Sequence, residues 1–309
     1  METLSPAPVF ARKNVAYACA TLCCLLWGSS YPAIKNGYQI FEIATDDIPS
    51  KIVFAGYRFL FAGLLLLLFA LAQRKPIARL NPRQYGQLAV LGLTQTSLQY
   101  AIFYIGLAFT TGVKGSIMNA TGTFFSVLLA HFIYKNDRLS YNKTIGCVLG
   151  FAGVMLVNIN HSLMDVSFSL MGDGFVVLAA FILSAASLYG KRISQTVDPT
   201  VMTGWQLAFG GAVLVLGGYF TGGTLVVHSI DAVAILGYLT LLSSVAFSLW
   251  SVLLKYNRVS MIAPFNFVIP VAGTVLSAIF LGENILEIKY AIALVLVCSG
   301  IWWVNKRSA

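Results

Sequence analysis

Apolar runs separated by short loops of alternating charge constrain this chain more than any other feature. The runs cover roughly residues 14–35, 52–73, 84–109, 115–134, 144–160, 174–190, 199–220, 233–254, 259–281 and 288–305. A helix of about 20 apolar residues crosses the hydrocarbon core of a bilayer, and a soluble domain has no use for ten of them. Composition agrees: 58% of residues are hydrophobic and 10% charged, where soluble domains carry about a quarter charged residues. The predicted fold class is an all-α polytopic membrane protein with ten transmembrane helices. No cleavable leader is expected, because the first run is too long for a signal core and lacks a small-residue cleavage site.

The loops fix a predicted orientation. One side holds Arg74, Lys75, Arg79 and Arg83, then Lys135, Arg138 and Lys143, then Lys191 and Arg192, then Lys255 and Arg258, with Arg12, Lys13, Lys306 and Arg307 on the termini. The other side holds Lys51, Lys114 and Lys289 among the acidic Glu42, Asp46, Asp47, Asp165, Asp173, Asp231, Glu283 and Glu287. Positively charged loops stay in the cytoplasm, so both termini are predicted to be cytoplasmic. The formal charge of +9 sits in these separate loops and forms no single basic stripe, which argues against a nucleic-acid partner. The five cysteines, Cys19, Cys23, Cys24, Cys147 and Cys298, all fall inside apolar runs and read as inert buried thiols. No cofactor or metal site is expected.

The two halves resemble each other. LAVLGLTQTSLQYAIFY (88–104) matches VAILGYLTLLSSVAFSL (233–249), and SVLLAHFIYKND (126–137) matches GTVLSAIFLGE (273–283) with one gap. FAGVMLV (151–157) matches CSGIWWV (298–304), and YRFLFAGLLLL (57–67) matches WQLAFGGAVLV (205–215). Five runs per copy is an odd number, so the copies enter the membrane from opposite sides. Inverted repeats of this kind belong to transporters that bind substrate near the midplane. The predicted layout is a cytoplasmic tail 1–13, a first five-helix repeat 14–160, an extracytoplasmic linker 161–173, a second repeat 174–305 and a cytoplasmic tail 306–309.

WGSSYPAIK (27–35), YRF at the start of the second run, IPVAGTVLSAIFLGE (269–283) and the glycine-rich ends of the fifth and tenth runs resemble the EamA-type branch of the drug/metabolite transporter superfamily. The resemblance covers nearly the whole chain. It implies ten helices in two inverted repeats, usually in the bacterial inner membrane, and export of small metabolites, amino acids among them. The chain departs from internal symmetry where Phe124 stands opposite Pro270, and Asn136-Asp137 opposite Gly282-Glu283.

Polar groups inside the runs mark the candidate cavity, since burying them in lipid is costly unless they are satisfied. Trp27, Tyr31 and Lys35 recur at i, i+4 and i+8, and Pro32 has no N–H to give to the Gly28 carbonyl, which invites a kink. Gln95 and Gln99 lie one turn apart in the third run, matched by Thr240 and Ser244 in the eighth. Asn119 and Thr123 share a face of the fourth run, and Asn266 precedes Pro270 by one turn in the ninth. Arg58 in the second run and Lys35 at the outer rim are candidate partners for a substrate carboxylate. Tyr100, Tyr104, Trp205 and Trp250 could shape an apolar wall. Each has a plainer reading as an interhelical hydrogen bond or interfacial anchor, and for Ser243, Ser244 and Thr123 that reading is the stronger. All acidic residues lie in loops, tails or run ends, where a cation antiporter would place one at central depth.

The expected activity is therefore export of small polar metabolites, amino acids or related zwitterionic and anionic solutes, by alternating access. An anion or sugar-phosphate exchanger, resting on Lys35, Arg58, Lys191 and Arg192, and an exporter of neutral compounds are the alternatives. No H-E-x-x-H or G-x-S-x-G motif is present, and His131, His161 and His228 lie near run ends or in loops, which argues against an intramembrane enzyme. The expected partners are a small-molecule substrate and the lipid bilayer, for a monomer or homodimer.

Overall fold

The computed structural model describes residues 9–110, 118–157, 169–281 and 288–306. These residues form helices and connecting turns, with no strand among them. In chain order the helices are α1 (Lys13–Ile40), α2 (Ile48–Ala72), α3 (Pro82–Leu107), α4 (Met118–Ile133), α5 (Tyr141–Val157), α6 (Leu170–Ile193), α7 (Pro199–Phe220) and α8 (Ile230–Tyr256). The helical run 259–281 is α9, and α10 is Ile288–Asn305. Helices α2, α3, α6, α7 and α8 are long and apolar enough to cross a membrane, with shorter apolar helices in α4, α9 and α10. The chain is an integral membrane protein. The tight 109–115 connection and the linker 161–173 fall mostly outside the described residues, as do Asp165, Glu283 and Glu287.

Local sequence sets the helix starts. Asn81 accepts a bond from the Gln84 N–H at 2.8 Å while the Gln84 side chain accepts from the Asn81 N–H at 3.0 Å, a reciprocal cap with Pro82 in the first turn. Such a box satisfies donors that a helix start leaves unpaired. Asp198 caps α7 through the Thr200 N–H at 2.9 Å and also takes the Lys75 ammonium at 3.0 Å, fastening the α2–α3 loop to the start of α7.

Several helices are irregular. The first extends through Pro32 to Ile40, five residues beyond the predicted end. Helix α3 carries a π-helical stretch at Gly92–Leu98, and α6 opens with another at Leu170–Gly174. Helix α9 begins as a short α-helical turn, tightens to a 3-10 segment at Ala263–Phe267 and resumes as α-helix at Val268. Helix α4 also breaks, at Thr121, without a proline.

Packing follows small residues. Helices α2 and α7 lie in close contact, so a Cβ built on Gly63 would sit 2.2 Å from the Ala208 nitrogen. Helices α5 and α10 pair similarly, and a Cβ on Gly300 would lie 2.6 Å from the Gly146 carbonyl. In lipid, where burial of apolar surface gives no net drive between helices, such backbone approach supplies the packing energy. The remaining helices, α1, α3, α4, α6, α8 and α9, contribute side chains to one central cavity.

Candidate functional site

The cavity holds about 200 Å³. Helix α1 gives it Trp27 and Tyr31, and α3 gives Gln95, Gln99, Tyr100 and Tyr104. Helix α4 adds Asn119 and Thr123, α8 adds Phe247 and Trp250, and α9 adds Asn266 and Pro270. Arg58 reaches the same space from α2.

The aromatic wall is built from two edge-to-face pairs and one tilted pair. Trp27 meets Phe247 at 5.4 Å and Trp250 at 5.1 Å between ring centres, while Phe59 meets Tyr100 at 4.5 Å. Edge-to-face pairs add about 0.5–1.5 kcal/mol each beyond their buried area. Behind Trp27, the Ser30 hydroxyl donates to the Trp27 carbonyl at 2.6 Å.

The polar wall is less complete. Arg58 stands ten residues into α2, which begins at Ile48 and not at 52, so it sits about 15 Å along the helix at 1.5 Å per residue. That is near central depth, deeper than the sequence implied. The side chain is 4% exposed, its Nε donates to Ser243 Oγ at 2.7 Å, and its guanidinium lies 5.1 Å from the Phe59 ring. Gln95 Nε2 donates to Ser187 Oγ at 3.3 Å. Gln99 Oε1 and Thr123 Oγ1 are buried and have no partner among the described residues. An unsatisfied buried polar group costs about 1–3 kcal/mol, so both atoms mark places where a ligand or water completes the site. No Asp or Glu lines the cavity among the described residues.

Gln95 lies within the π-helical stretch and Gln99 at its end, four residues on and on the same wall. The Gln99 N–H bonds back five residues to the Thr94 carbonyl, and Ser97 Oγ donates to the Gly210 carbonyl of α7 at 2.9 Å. Single π turns of this kind recur at functional sites.

Four predicted residues lie elsewhere. Lys35 is exposed and off the cavity lining. At 100° per residue, position i+8 has drifted about 80° from Trp27, so the shared face holds for Tyr31 and lapses by Lys35. Ser244 donates to the Ala62 carbonyl at 3.2 Å and to the Thr240 carbonyl at 2.8 Å, tying α8 to α2 away from the cavity. Pro32 is buried in an unbroken α1, and the Gly28 carbonyl beneath it faces Gly273 of α9. Trp205 is also absent from the lining, because its Nε1 donates to the Ile77 carbonyl at 3.0 Å in the α2–α3 loop. Cys298 is exposed, against the expectation of uniformly buried thiols.

Sequence reading placed the sixth run but named no cavity residue on α6. Ser184 and Ser187 line the cavity, and Ser184 Oγ donates to the Gly122 carbonyl at 2.8 Å, joining α6 to α4. Their spacing of three in an otherwise apolar run was the available signal.

The turn between α8 and α9 borders the cavity through Leu254 and Val259. Asp137, 2% exposed, accepts the Ser260 N–H at 3.0 Å and the Ser260 hydroxyl, and pairs with the Lys143 ammonium at 2.8 Å. Lys191 donates to the carbonyls of Leu254 and Asn257 at the end of α8. A carboxylate at a helix start and a cation at a helix end both complement the helix dipole.

An all-helical membrane protein with a polar, aromatic-walled cavity at central depth has the form of a solute carrier. The chain belongs to the EamA-like transporter family, whose model matches residues 14–159 and 170–306. Among similar proteins, an uncharacterized transporter of Archaeoglobus fulgidus is 26% identical over 84% of this chain and 87% of its own length. A probable amino-acid metabolite efflux pump of Salmonella typhimurium is 26% identical over 92% of each chain. A crystal structure with a TM-score of 0.76 covers 93% of this chain and 96% of its own at 18% identity, which establishes a common fold.

Proposed function

We propose that this transporter exports small polar metabolites, amino acids or related zwitterionic and anionic solutes, by alternating access through the central cavity. The observation that carries this is the cavity's composition among the described residues: a buried arginine, an amide and a hydroxyl with unfilled hydrogen bonds, aromatic walls and no lining carboxylate. Arg58, its Nε held by Ser243, has terminal nitrogens suited to a carboxylate. Gln95, Gln99, Asn119, Thr123 and Asn266 would take the solute's remaining donors and acceptors, with Trp27, Tyr31, Tyr104 and Trp250 enclosing its apolar part. The Salmonella relative's name supports amino-acid metabolites as the first solutes to try.

Ten spans in two inverted five-helix repeats, both ends cytoplasmic, in a bacterial inner membrane, complete the reading. The charge alternation of the loops supports the orientation. Two pairs matched in sequence, α2 with α7 and α5 with α10, also pack against each other, as equivalent helices beside a two-fold axis would. Pro32 and Pro270 are proposed as bending points, the latter supported by the change from 3-10 to α-helix just before it.

The test is counterflow in proteoliposomes loaded with a panel of amino acids and their amides. Carboxylate-dependent flux supports the proposal, and flux confined to lipophilic cations overturns it. An anion exchanger is favoured by the cluster of Lys191, Arg192, Lys255 and Arg258 around one recess; strict dependence on a counter-anion across the membrane would select it.

A further inference from the structure

Leu254 and Val259 line the central cavity, whereas Lys255, Tyr256, Asn257 and Arg258 line a second recess of about 450 Å³. The α8–α9 turn is thus floor to one space and roof to the other. Two charged side chains hold it there, and their holds differ in kind. Asp137 is saturated by Lys143 and by both polar groups of Ser260. The Lys191 ammonium rests on neutral carbonyls, with the Tyr134 ring 5.6 Å away. It borders the recess together with Arg192, Lys255 and Arg258. Asp137, the one lining carboxylate among the described residues, acts on Lys191 through space while its hydrogen bonds come from Lys143 and Ser260. A carboxylate or phosphate entering this recess offers Lys191 a full opposite charge, where the Leu254 and Asn257 carbonyls offer only dipoles. The surrounding cations concentrate such anions locally.

The geometry points to an anion-operated gate: the carboxylate or phosphate of a small solute binds Lys191, Arg192 and Arg258 in the recess, draws Lys191 off the Leu254 and Asn257 carbonyls, and releases the turn that borders the cavity. This inference deepens the proposed function and rests on its reading of the cavity as a solute path.

The test places a reporter at Ser187, which lines the cavity one turn before Lys191. Ser187→Cys protein in oriented proteoliposomes is labelled with a membrane-impermeant maleimide from the Lys/Arg-loop face, scored over the background of the five native cysteines. Inorganic phosphate or succinate is expected to raise the labelling rate several-fold, and chloride at equal ionic strength is not. Adding Lys191→Gln is expected to make labelling fast without either anion and insensitive to both. Labelling that stays slow in both variants under every anion overturns the gate, as does an equal phosphate response with and without Lys191. Vesicles of phosphatidylcholine with and without phosphatidylglycerol separate the sources: a rate set by the lipid alone overturns the small-solute assignment. Labelling only from the opposite face, without anion response, overturns the gate and leaves the solute path standing. No labelling from either face under any condition brings down the solute path itself.

Discussion

Helices α3 and α8 occupy matching places in the two halves of the sequence, yet their polar residues do different work. On α3, Gln95 and Gln99 face the cavity, and Gln99 keeps an acceptor without a partner. On α8, Ser244 is spent on carbonyls of its own helix and of α2, Ser243 holds the arginine of α2, and Thr240 is buried off the cavity with its hydroxyl unpaired. Long amides span the gap to a ligand, whereas short hydroxyls reach the nearest backbone first. Pseudo-symmetry in a sequence therefore predicts where polar residues sit and leaves open which of them a solute meets.

The sharpest way to break this contrast is Gln99→Leu, which removes a central polar contact of similar volume. Transport in proteoliposomes is expected to be abolished while yield and thermal stability in detergent persist; wild-type flux would remove Gln99 from the site. Next comes Arg58→Gln, expected to lower flux of carboxylate-bearing solutes by about tenfold or more, in line with the loss of a charge-assisted bond of about 1.5–3 kcal/mol. Their amides should lose far less, and equal losses would make the arginine a purely structural tie to Ser243. Ser244→Ala should cost about 1 kcal/mol of stability, read as a small drop in unfolding midpoint with transport kept. A transport defect larger than the stability loss would return Ser244 to the cavity. Thr240→Val should be neutral or slightly stabilising, since an unpaired buried hydroxyl is replaced by a methyl of the same shape. A clear destabilisation would mean that the hydroxyl has a partner.

Much of this was legible from residues alone. Hydropathy placed the apolar helices, because length and apolarity are what a bilayer selects. Polar residues in those runs located most of the cavity, because lipid leaves them few other places to point. The rest depended on geometry that spacing does not carry. Lys35 missed because eight residues of helix do not close on two turns. The reach of Arg58 was underestimated because α2 starts four residues early, capped by Asp47 on the Ser50 N–H at 2.9 Å. The π turn before Gln99 has no distinctive residue pattern, and the serines of α6 offer only their spacing of three in an apolar run.

The bond set around Asp137 has one more consequence. Burial pushes its carboxyl upward, but bonds from Lys143 and from the hydroxyl and N–H of Ser260 outweigh that and hold it below its ordinary 3.8. A group lowered in the folded state lends its full stability above the unfolded value and loses it only as pH drops through the folded one. The difference in unfolding midpoint between wild type and Asp137→Asn should thus stay constant from pH 5 to 8 and shrink only in stronger acid. Mild acid would therefore leave the Asp137 fastening of that end of the molecule in place.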